Sequence, residues 1–192
     1  ANREVQIEME QVATRHLEAI GALVDTTALV DVDFDEQPFE LEASVIIPVF
    51  NRAKTIADAV KSALQQETKF KYNVIVVDNH STDGTSDILS EMLLNNENKL
   101  HVIIPERTDL GIGGCWNMAI NDTHCGCFAV QLDSDDLYSS PKTLQTIVDA
   151  FYKQKAAMIV GSYRMCDFDL NTLPPGLIAH KEWTDENGPN NA

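Results

Sequence analysis

Short apolar runs rich in valine and isoleucine recur along the chain from residue 43 onward. They are SVIIPVF (44–50), NVIVVD (73–78), HVIIP (101–105), CFAVQLD (127–133) and AAMIVGSY (156–163). Most successive positions are apolar, which is typical of parallel strands that helices cover on both faces. The runs therefore predict five strands in a mainly parallel sheet.

Segments of helical character separate these runs, over roughly 53–66, 84–95, 112–121 and 139–154. Ser140 is suited to cap the last of these helices, with Pro141 at its first position. A regular alternation of strand and helix predicts the α/β class. Further on, Asp169-Leu170-Asn171 predicts the turn of a hairpin.

The first 42 residues differ in pattern and in charge. They hold 11 Asp and Glu against 2 Arg, a net charge of -9 out of -16 for the whole chain. Apolar residues recur every three to five positions, which predicts an amphipathic helix over roughly 3–23; they are Val5, Met9, Val12, Leu17, Ile20 and Leu23. We expect its apolar face to pack on the rest of the chain or on a second copy, as a homodimer. Residues 1–42 are thus predicted to be a helical leader and linker, and 43–192 the α/β domain.

Charge and composition exclude several classes of partner. A net charge of -16 disfavours nucleic acids and anionic membrane surfaces. A small anionic ligand stays allowed, because a divalent cation can bridge carboxylate and phosphate. No apolar run is long enough to span a membrane, and the first residues lack the pattern of a signal peptide.

The cysteines indicate a reducing compartment. The chain has 4 cysteines and no export signal, so we expect free thiols and a cytoplasmic location. A zinc site formed by His124, Cys125 and Cys127 is an alternative, although their spacing matches no usual zinc pattern.

Polar residues follow four of the predicted strands. Asn51-Arg52 follows the first, Asp78 ends the second, Glu106–Asp109 and LGIGG follow the third, and Asp133–Asp136 follows the fourth. In open α/β sheets ligands bind at the carboxyl ends of the strands. We therefore expect these residues to meet at one edge of the sheet.

Asp133, Asp135 and Asp136 lie almost side by side at that edge. Their mutual repulsion is tolerated either in open water or next to a cation. Mg²⁺ and Mn²⁺ prefer one or two carboxylates plus substrate phosphate, which favours a metal site over a solvated loop. Of the acids after the second strand, Asp83 suits a turn or helix cap, whereas Asp78 suits ligand binding.

Three segments together resemble a known family. ASVIIPVFNRAKTIADAVKSALQQE, NVIVVDNHSTDGTSDIL and GCFAVQLDSDDLYSSPKTL resemble the nucleotide-sugar-binding domain of family-2 glycosyltransferases, over roughly residues 43–166. The resemblance implies the Rossmann-like GT-A fold. It also implies a metal-assisted, inverting transfer from a nucleotide-sugar donor, typically UDP-linked, to a saccharide or other hydroxyl acceptor.

The resemblance assigns roles to individual positions. Asp78 would accept a hydrogen bond from the base, Asp133 would contact the ribose or sugar, and Asp135 would bind Mg²⁺ or Mn²⁺, with Asp133 beside it. The remaining donor-binding positions are Pro48, Phe50, Asn51, Arg52, Gly111, Gly113 and Asn117.

The chain departs from the family pattern at three positions. Asn79 replaces the second Asp of VDD, His80 replaces the following Gly, and Trp116 replaces an Arg of the ArN triplet. The catalytic base is expected beyond residue 192, because Asp185 and Glu186 come too early in the chain.

A non-catalytic nucleotide-binding or interaction module is the alternative function. A nucleotidyltransferase is disfavoured, because PVFNRAK after the first strand is not a basic glycine-rich loop.

Overall fold

The computed structural model describes residues 2–28 and 39–180, and the chain divides into two compact units, Ala1–Val32 and Asp33–Ala192. The first contains helix α1 (Arg3–Ala19) and a 3₁₀ turn (Thr26–Ala28). Asn2 caps α1 by accepting a 3.0 Å hydrogen bond from the backbone N–H of Glu4. The predicted leader helix is thus confirmed but ends at Ala19, and none of its residues is buried.

The second unit is an α/β domain. Its strands are β1 (Ala43–Val49), β2 (Tyr72–Asp78), β3 (Leu100–Ile103), β4 (Phe128–Gln131), β5 (Tyr163–Cys166) and β6 (Thr172–Ile178). Its helices are α2 (Ile56–Leu64), α3 (Thr85–Leu94), α4 (Gly111–Ile120) and α5 (Thr143–Gln154). The predicted segment boundary at residue 42 stays a prediction, because 29–38 lie outside the described residues.

In the described part of the chain the main sheet has four strands, all parallel, in the order β3-β2-β1-β4. Every residue of β1 and β2 is buried, as expected of central strands covered on both faces. Alternate side chains face opposite layers. Val45 and Val74 belong to one apolar cluster with α2, α3 and α5, whereas Ile46 and Ile75 belong to another with α4.

The predicted fifth parallel strand, 156–163, is wrong. Residues 156–162 form no strand, and Met158 and Val160 are largely exposed. The run has only three consecutive large apolar residues before Gly161-Ser162, too few to specify a buried strand. Strand β5 instead pairs antiparallel with β6, which confirms the predicted hairpin.

The predicted start of α5 is also wrong, by two residues. Lys142, and not Ser140, occupies the N-cap position. The Ser140 hydroxyl accepts a 3.1 Å hydrogen bond from the Lys142 backbone, and the Thr143 hydroxyl donates to the Ser140 carbonyl at 3.0 Å. These bonds close a turn ahead of the helix and leave Pro141 outside it.

Among the described residues, no helix combines the length and the apolar character needed to cross a bilayer. All four cysteines are free thiols.

Candidate active site

The strand order places a topological switch point between β1 and β4. From β1 the chain proceeds outward through β2 to β3, then returns by α4 to the other side of β1. In such sheets a crevice opens at the carboxyl ends of the two strands that flank the reversal. Here those ends carry Asn51-Arg52 and Asp133–Asp136.

The loop after β1 is fixed to the loop after β2 by polar contacts. Asn51 adopts a left-handed conformation with φ of 53°, which Asn tolerates better than most residues. Its backbone N–H donates to the Ser81 hydroxyl at 2.9 Å, and its side-chain oxygen accepts from the Thr82 N–H at 2.8 Å. The Arg52 N–H donates to the Thr85 hydroxyl at 2.9 Å. These hydrogen bonds hold the loops after β1 and β2 together at the carboxyl edge of the sheet.

The same loop also contacts the acidic segment after β4. Arg52 Nε lies 3.2 Å from Asp135 Oδ2, and the Thr55 hydroxyl donates to the Ser134 carbonyl at 2.9 Å. These contacts span the switch point. They join segments that lie about eighty positions apart in the sequence, and they bring together Arg52 and Asp135, which the sequence analysis assigned to one site.

Asp78 is at the predicted edge but is completely buried. One carboxylate oxygen accepts from the Ser81 N–H at 3.0 Å and the other from the Ser86 hydroxyl at 2.5 Å. Asp78 thus stabilises its own loop. Its role as base reader stays a prediction, and this geometry does not favour it.

Asp83 has the capping role that its turn sequence predicts. Its carboxylate accepts from the Thr85 hydroxyl at 2.6 Å, from the Thr85 N–H at 3.1 Å and from the Ala53 N–H at 3.0 Å. The hydrogen bond from the Thr85 hydroxyl, with that from the Ala53 backbone, lowers the pKa of Asp83 below its usual value. The carboxylate therefore joins the start of α3 to the loop after β1.

Asn79 follows Asp78 in the chain and lines the pocket at the switch point. The sequence analysis did not assign it to the site. Its side-chain oxygen is buried and has no hydrogen-bond partner in the described part of the chain. Strand alternation is the signal that could have found it. Asp78 continues the face of Val74 and Val76, towards α2 and α3, whereas Asn79 continues the face of Val77, towards α4.

His80 and Gly111 both have positive φ, 63° and 59°. At position 80 the family pattern has Gly, which adopts this conformation without strain. The His80 Nε2 lies 3.2 Å from the Arg107 carbonyl and, when it carries the proton, donates to it, so this side chain links the loops after β2 and β3. Arg107 itself is paired with Asp109 through two 2.9 Å contacts.

The acidic turn crowds three carboxylates. The Asp136 N–H donates to the Asp133 carbonyl at 3.1 Å, which closes the turn. Asp133 accepts from the Gln131 side chain at 2.9 Å, and the side chain of Asp135 is 48% exposed. Partial desolvation, followed by the charges of Asp133 and Asp135, raises the pKa of Asp136. The turn therefore carries excess negative charge that a cation would relieve.

This donor set fits a hard divalent cation held jointly with a ligand. Within residues 2–28 and 39–180 no three His, Cys, Asp or Glu side chains are arranged as a complete metal site. Mg²⁺ and Mn²⁺ do not need one, since they commonly bind one or two carboxylates plus substrate phosphate. The zinc alternative at His124, Cys125 and Cys127 loses support, because His124 instead bonds Asp122 at 2.7 Å.

A pocket of about 230 Å³ opens at the switch point. Four predicted residues line it: Pro48, Phe50, Arg52 and Gly111. Five other described residues that were not predicted also line it: Val49, Asn79, Ile112, Cys115 and Ser134.

Other predicted residues lie outside this lining. Asn51, Asp133 and Asp135 flank the pocket through the loops described above. Gly113 and Asn117 lie further along α4, where the carbonyl and side-chain oxygens of Asn117 accept from the Asn121 side chain of the next turn. Their donor-binding roles stay predictions. A second pocket of about 450 Å³ lies along β3, but the carboxyl-end polar residues do not line it.

Comparison with known proteins identifies the family. The profile described as "Glycosyl transferase family 2" matches residues 44–190. A chondroitin synthase of Escherichia coli is 33% identical over 134 residues, which cover 69% of this chain and 19% of that protein. A chondroitin synthase of Pasteurella multocida is 29% identical over 152 residues, or 71% of this chain and 15% of that protein. The matched segment is thus less than a fifth of either relative.

A solved structure supports the fold. Mannosyltransferase PcManGT from Pyrobaculum calidifontis, in complex with GDP-Man and Mn²⁺, superposes with a TM-score of 0.50 at 23% identity, over 69% of this chain and 39% of that one. At this identity the likeness concerns the fold alone, and it agrees with the GT-A arrangement of sheet and helices. From the profile match over most of its length, this chain belongs to glycosyl transferase family 2.

Proposed function

We propose that this chain binds a UDP-linked sugar together with Mg²⁺ or Mn²⁺ and serves its transfer, with inversion, to an acceptor hydroxyl. The observation that carries the proposal is the Arg52–Asp135 contact across the switch point, in a member of glycosyl transferase family 2. A saccharide acceptor agrees with the name of two relatives, chondroitin synthase, which denotes assembly of a glycan.

The base of the donor is better matched by Asn79 than by Asp78. Asn79 lines the pocket, and its side-chain oxygen is buried without a hydrogen-bond partner among the described residues, so a rotation of this amide on ligand binding would present an acceptor and a donor to the N3–H and O4 of uracil. Guanine presents two neighbouring donors, N1–H and the 2-amino group, and would suit a carboxylate better. We therefore assign base recognition to Asn79 and the shape of the loop to Asp78.

The acidic turn supplies the metal ligands in this proposal. Asp135, with Asp133 beside it, would hold the cation, which when bound neutralises the diphosphate and makes it a better leaving group. The catalytic base is not assigned, and Asp185 and Glu186 lie outside the described residues. Within the described residues, the chain's part is to orient the donor and to hold its charge.

Titration calorimetry with UDP, with and without Mn²⁺, tests this function. We expect metal-dependent binding in the wild type and none in Asp135→Asn. Asp149→Asn is the matched control, because Asp149 is exposed on α5, where its carboxylate accepts from the Gln145 side chain. Equal UDP affinity in wild type and Asp135→Asn would contradict the metal assignment.

Asn79→Asp should shift preference from UDP towards GDP, and an unchanged ratio of the two affinities would contradict the base assignment.

We also propose that α1 pairs with α1 of a second copy. Val5, Met9 and Val12 follow the four-then-three spacing of a helix–helix seam and are 49%, 67% and 53% exposed. Most of the stability of a helix in water comes from packing of its apolar face, which favours a partner for α1. Light scattering should show a dimer in the wild type and a monomer in Val12→Asp, whereas a monomeric wild type would refute the pairing. This surface also suits the alternative function, a non-catalytic interaction module. Sugar transfer by the protein would exclude that alternative.

A further inference from the structure

Arg52 and Asp135 face each other at the switch point, although Arg52 lines the pocket and Asp135 is the proposed metal ligand. Arg52 Nε contacts Asp135 Oδ2 at 3.2 Å, while Nη1 donates to the carbonyls of Phe50 at 3.4 Å and Asn51 at 3.1 Å. The carboxylate that would hold the metal is therefore already neutralised by a cation of the protein.

Arg52 is also the source of positive charge at the pocket. Among the described residues that line it, no other is cationic. Arg107 follows β3, where it pairs with Asp109, and it does not line this pocket. In a chain of net charge -16, a diphosphate entering this pocket has Arg52 as its cationic partner from the lining.

We propose that Arg52 is an exchangeable counter-ion. It neutralises Asp135 while the site is empty, leaves that carboxylate when the metal binds, and then contacts the diphosphate of the donor. This inference rests on the function proposed above. Its physical basis is that a guanidinium and a divalent cation beside the same carboxylate repel each other, so the two compete for Asp135. The planar donor fork of Arg suits phosphate oxygens as well as carboxylates.

The geometry permits this exchange without loss of the loop structure. The side chains of Arg52 and Asp135 are 47% and 48% exposed, so their ion pair is solvated and readily broken. The Thr55 hydroxyl joins the two loops separately, through its 2.9 Å bond to the Ser134 carbonyl. The carbonyls of Phe50 and Asn51 keep the guanidinium beside the pocket, so Arg52 has only a short distance to move.

The exchange makes metal and nucleotide binding cooperative. Without nucleotide, the metal must displace Arg52 from Asp135, and the displaced guanidinium gains no new partner. With nucleotide, the displaced guanidinium gains the diphosphate as its partner. Each ligand therefore raises the affinity for the other by the same factor.

Titration of the full chain with Mn²⁺, followed by electron paramagnetic resonance of the free ion, tests the proposal without any activity measurement. Arg52→Gln should bind Mn²⁺ alone about three- to tenfold more tightly, because the competing cation is gone. The same variant should bind UDP at saturating Mn²⁺ about tenfold more weakly. Lys54→Gln removes the same charge two residues away, outside the pocket lining, and should leave both affinities within about twofold.

Arg52→Lys separates charge from shape. It should bind Mn²⁺ alone as the wild type does and UDP more weakly, since an ammonium lacks the planar fork. If Arg52→Gln binds Mn²⁺ alone no more tightly than the wild type, the exchange is refuted while the proposed function stands. If the wild type binds no UDP in the presence of Mn²⁺, the proposed function fails and this inference fails with it.

Discussion

Asp78 offers a decisive comparison, because sequence and structure give it different roles. It is fully buried, and its two oxygens accept hydrogen bonds from Ser81 and Ser86. A hydrogen bond to a charged group contributes about 1.5–3 kcal/mol net. Asp78→Ala loses both hydrogen bonds, but it also removes the free-energy cost of burying a carboxylate, which offsets part of the loss. We therefore expect Asp78→Ala to lower the free energy of unfolding by about 2–4 kcal/mol.

Asp78→Asn is the sharper variant, because it preserves shape. Its amide oxygen can still accept from the Ser81 N–H, and the Ser86 hydroxyl can turn to accept from the new NH₂ group. We expect a loss of about 1 kcal/mol and UDP affinity within about threefold of the wild type. Urea unfolding and UDP titration in the presence of Mn²⁺ measure the two quantities. Abolished UDP binding at unchanged stability would refute the structural role and restore Asp78 as the base reader.

The remaining predictions concern stability at the opposite end of the sheet. Ser44→Ala should cost about 2–4 kcal/mol in urea unfolding, since its buried hydroxyl donates to Asn73 at 2.5 Å and accepts from the Gly126 N–H at 2.8 Å; a loss below about 0.5 kcal/mol would contradict this. Gly126→Ala should lower the melting temperature, because its Cβ would lie 2.8 Å from the Leu41 carbonyl oxygen; an unchanged melting temperature would show that the backbone relaxes freely. Burial, then the neighbouring His124, lowers the pKa of His101 from 6.5. The folded state therefore resists protonation of His101, so stability falls as pH drops below about 6.5. His101→Phe should reduce this fall in thermal scans, and an equally steep decline in the variant would exclude His101 as its source.

The strands and the location of the site could be predicted because they depend on local pattern. Runs such as NVIVVD are apolar on both faces, and the rule for open sheets then places residues like Arg52 and Asp135 at one edge. The run 156–163 misled because a short apolar run shows only that a segment is apolar, and not which strand it pairs with.

The contacts that individual side chains make within the site could not be predicted from the sequence. Whether Asp78 or Asn79 borders the pocket depends on which face α4 covers, and that is decided by the crossover to β4. The contact between Arg52 and Asp135 depends on two exposed side chains that meet across about eighty positions of sequence. Pattern alone specifies neither their orientation nor the fact that they neutralise each other.

The central claim is that the carboxyl ends of β1, β2 and β4, with the start of α4, form one site for a metal-bound nucleotide. Paramagnetic broadening of backbone amide signals by Mn²⁺ with UDP tests it directly, because the effect falls steeply with distance from the ion. We predict loss of the signals of 51–52, 79–80, 111–112 and 134–136, while Ser44 and Gly126, at the amino ends of the strands, keep theirs. Broadening centred on His101 and His124, or spread evenly over the domain, would contradict the account.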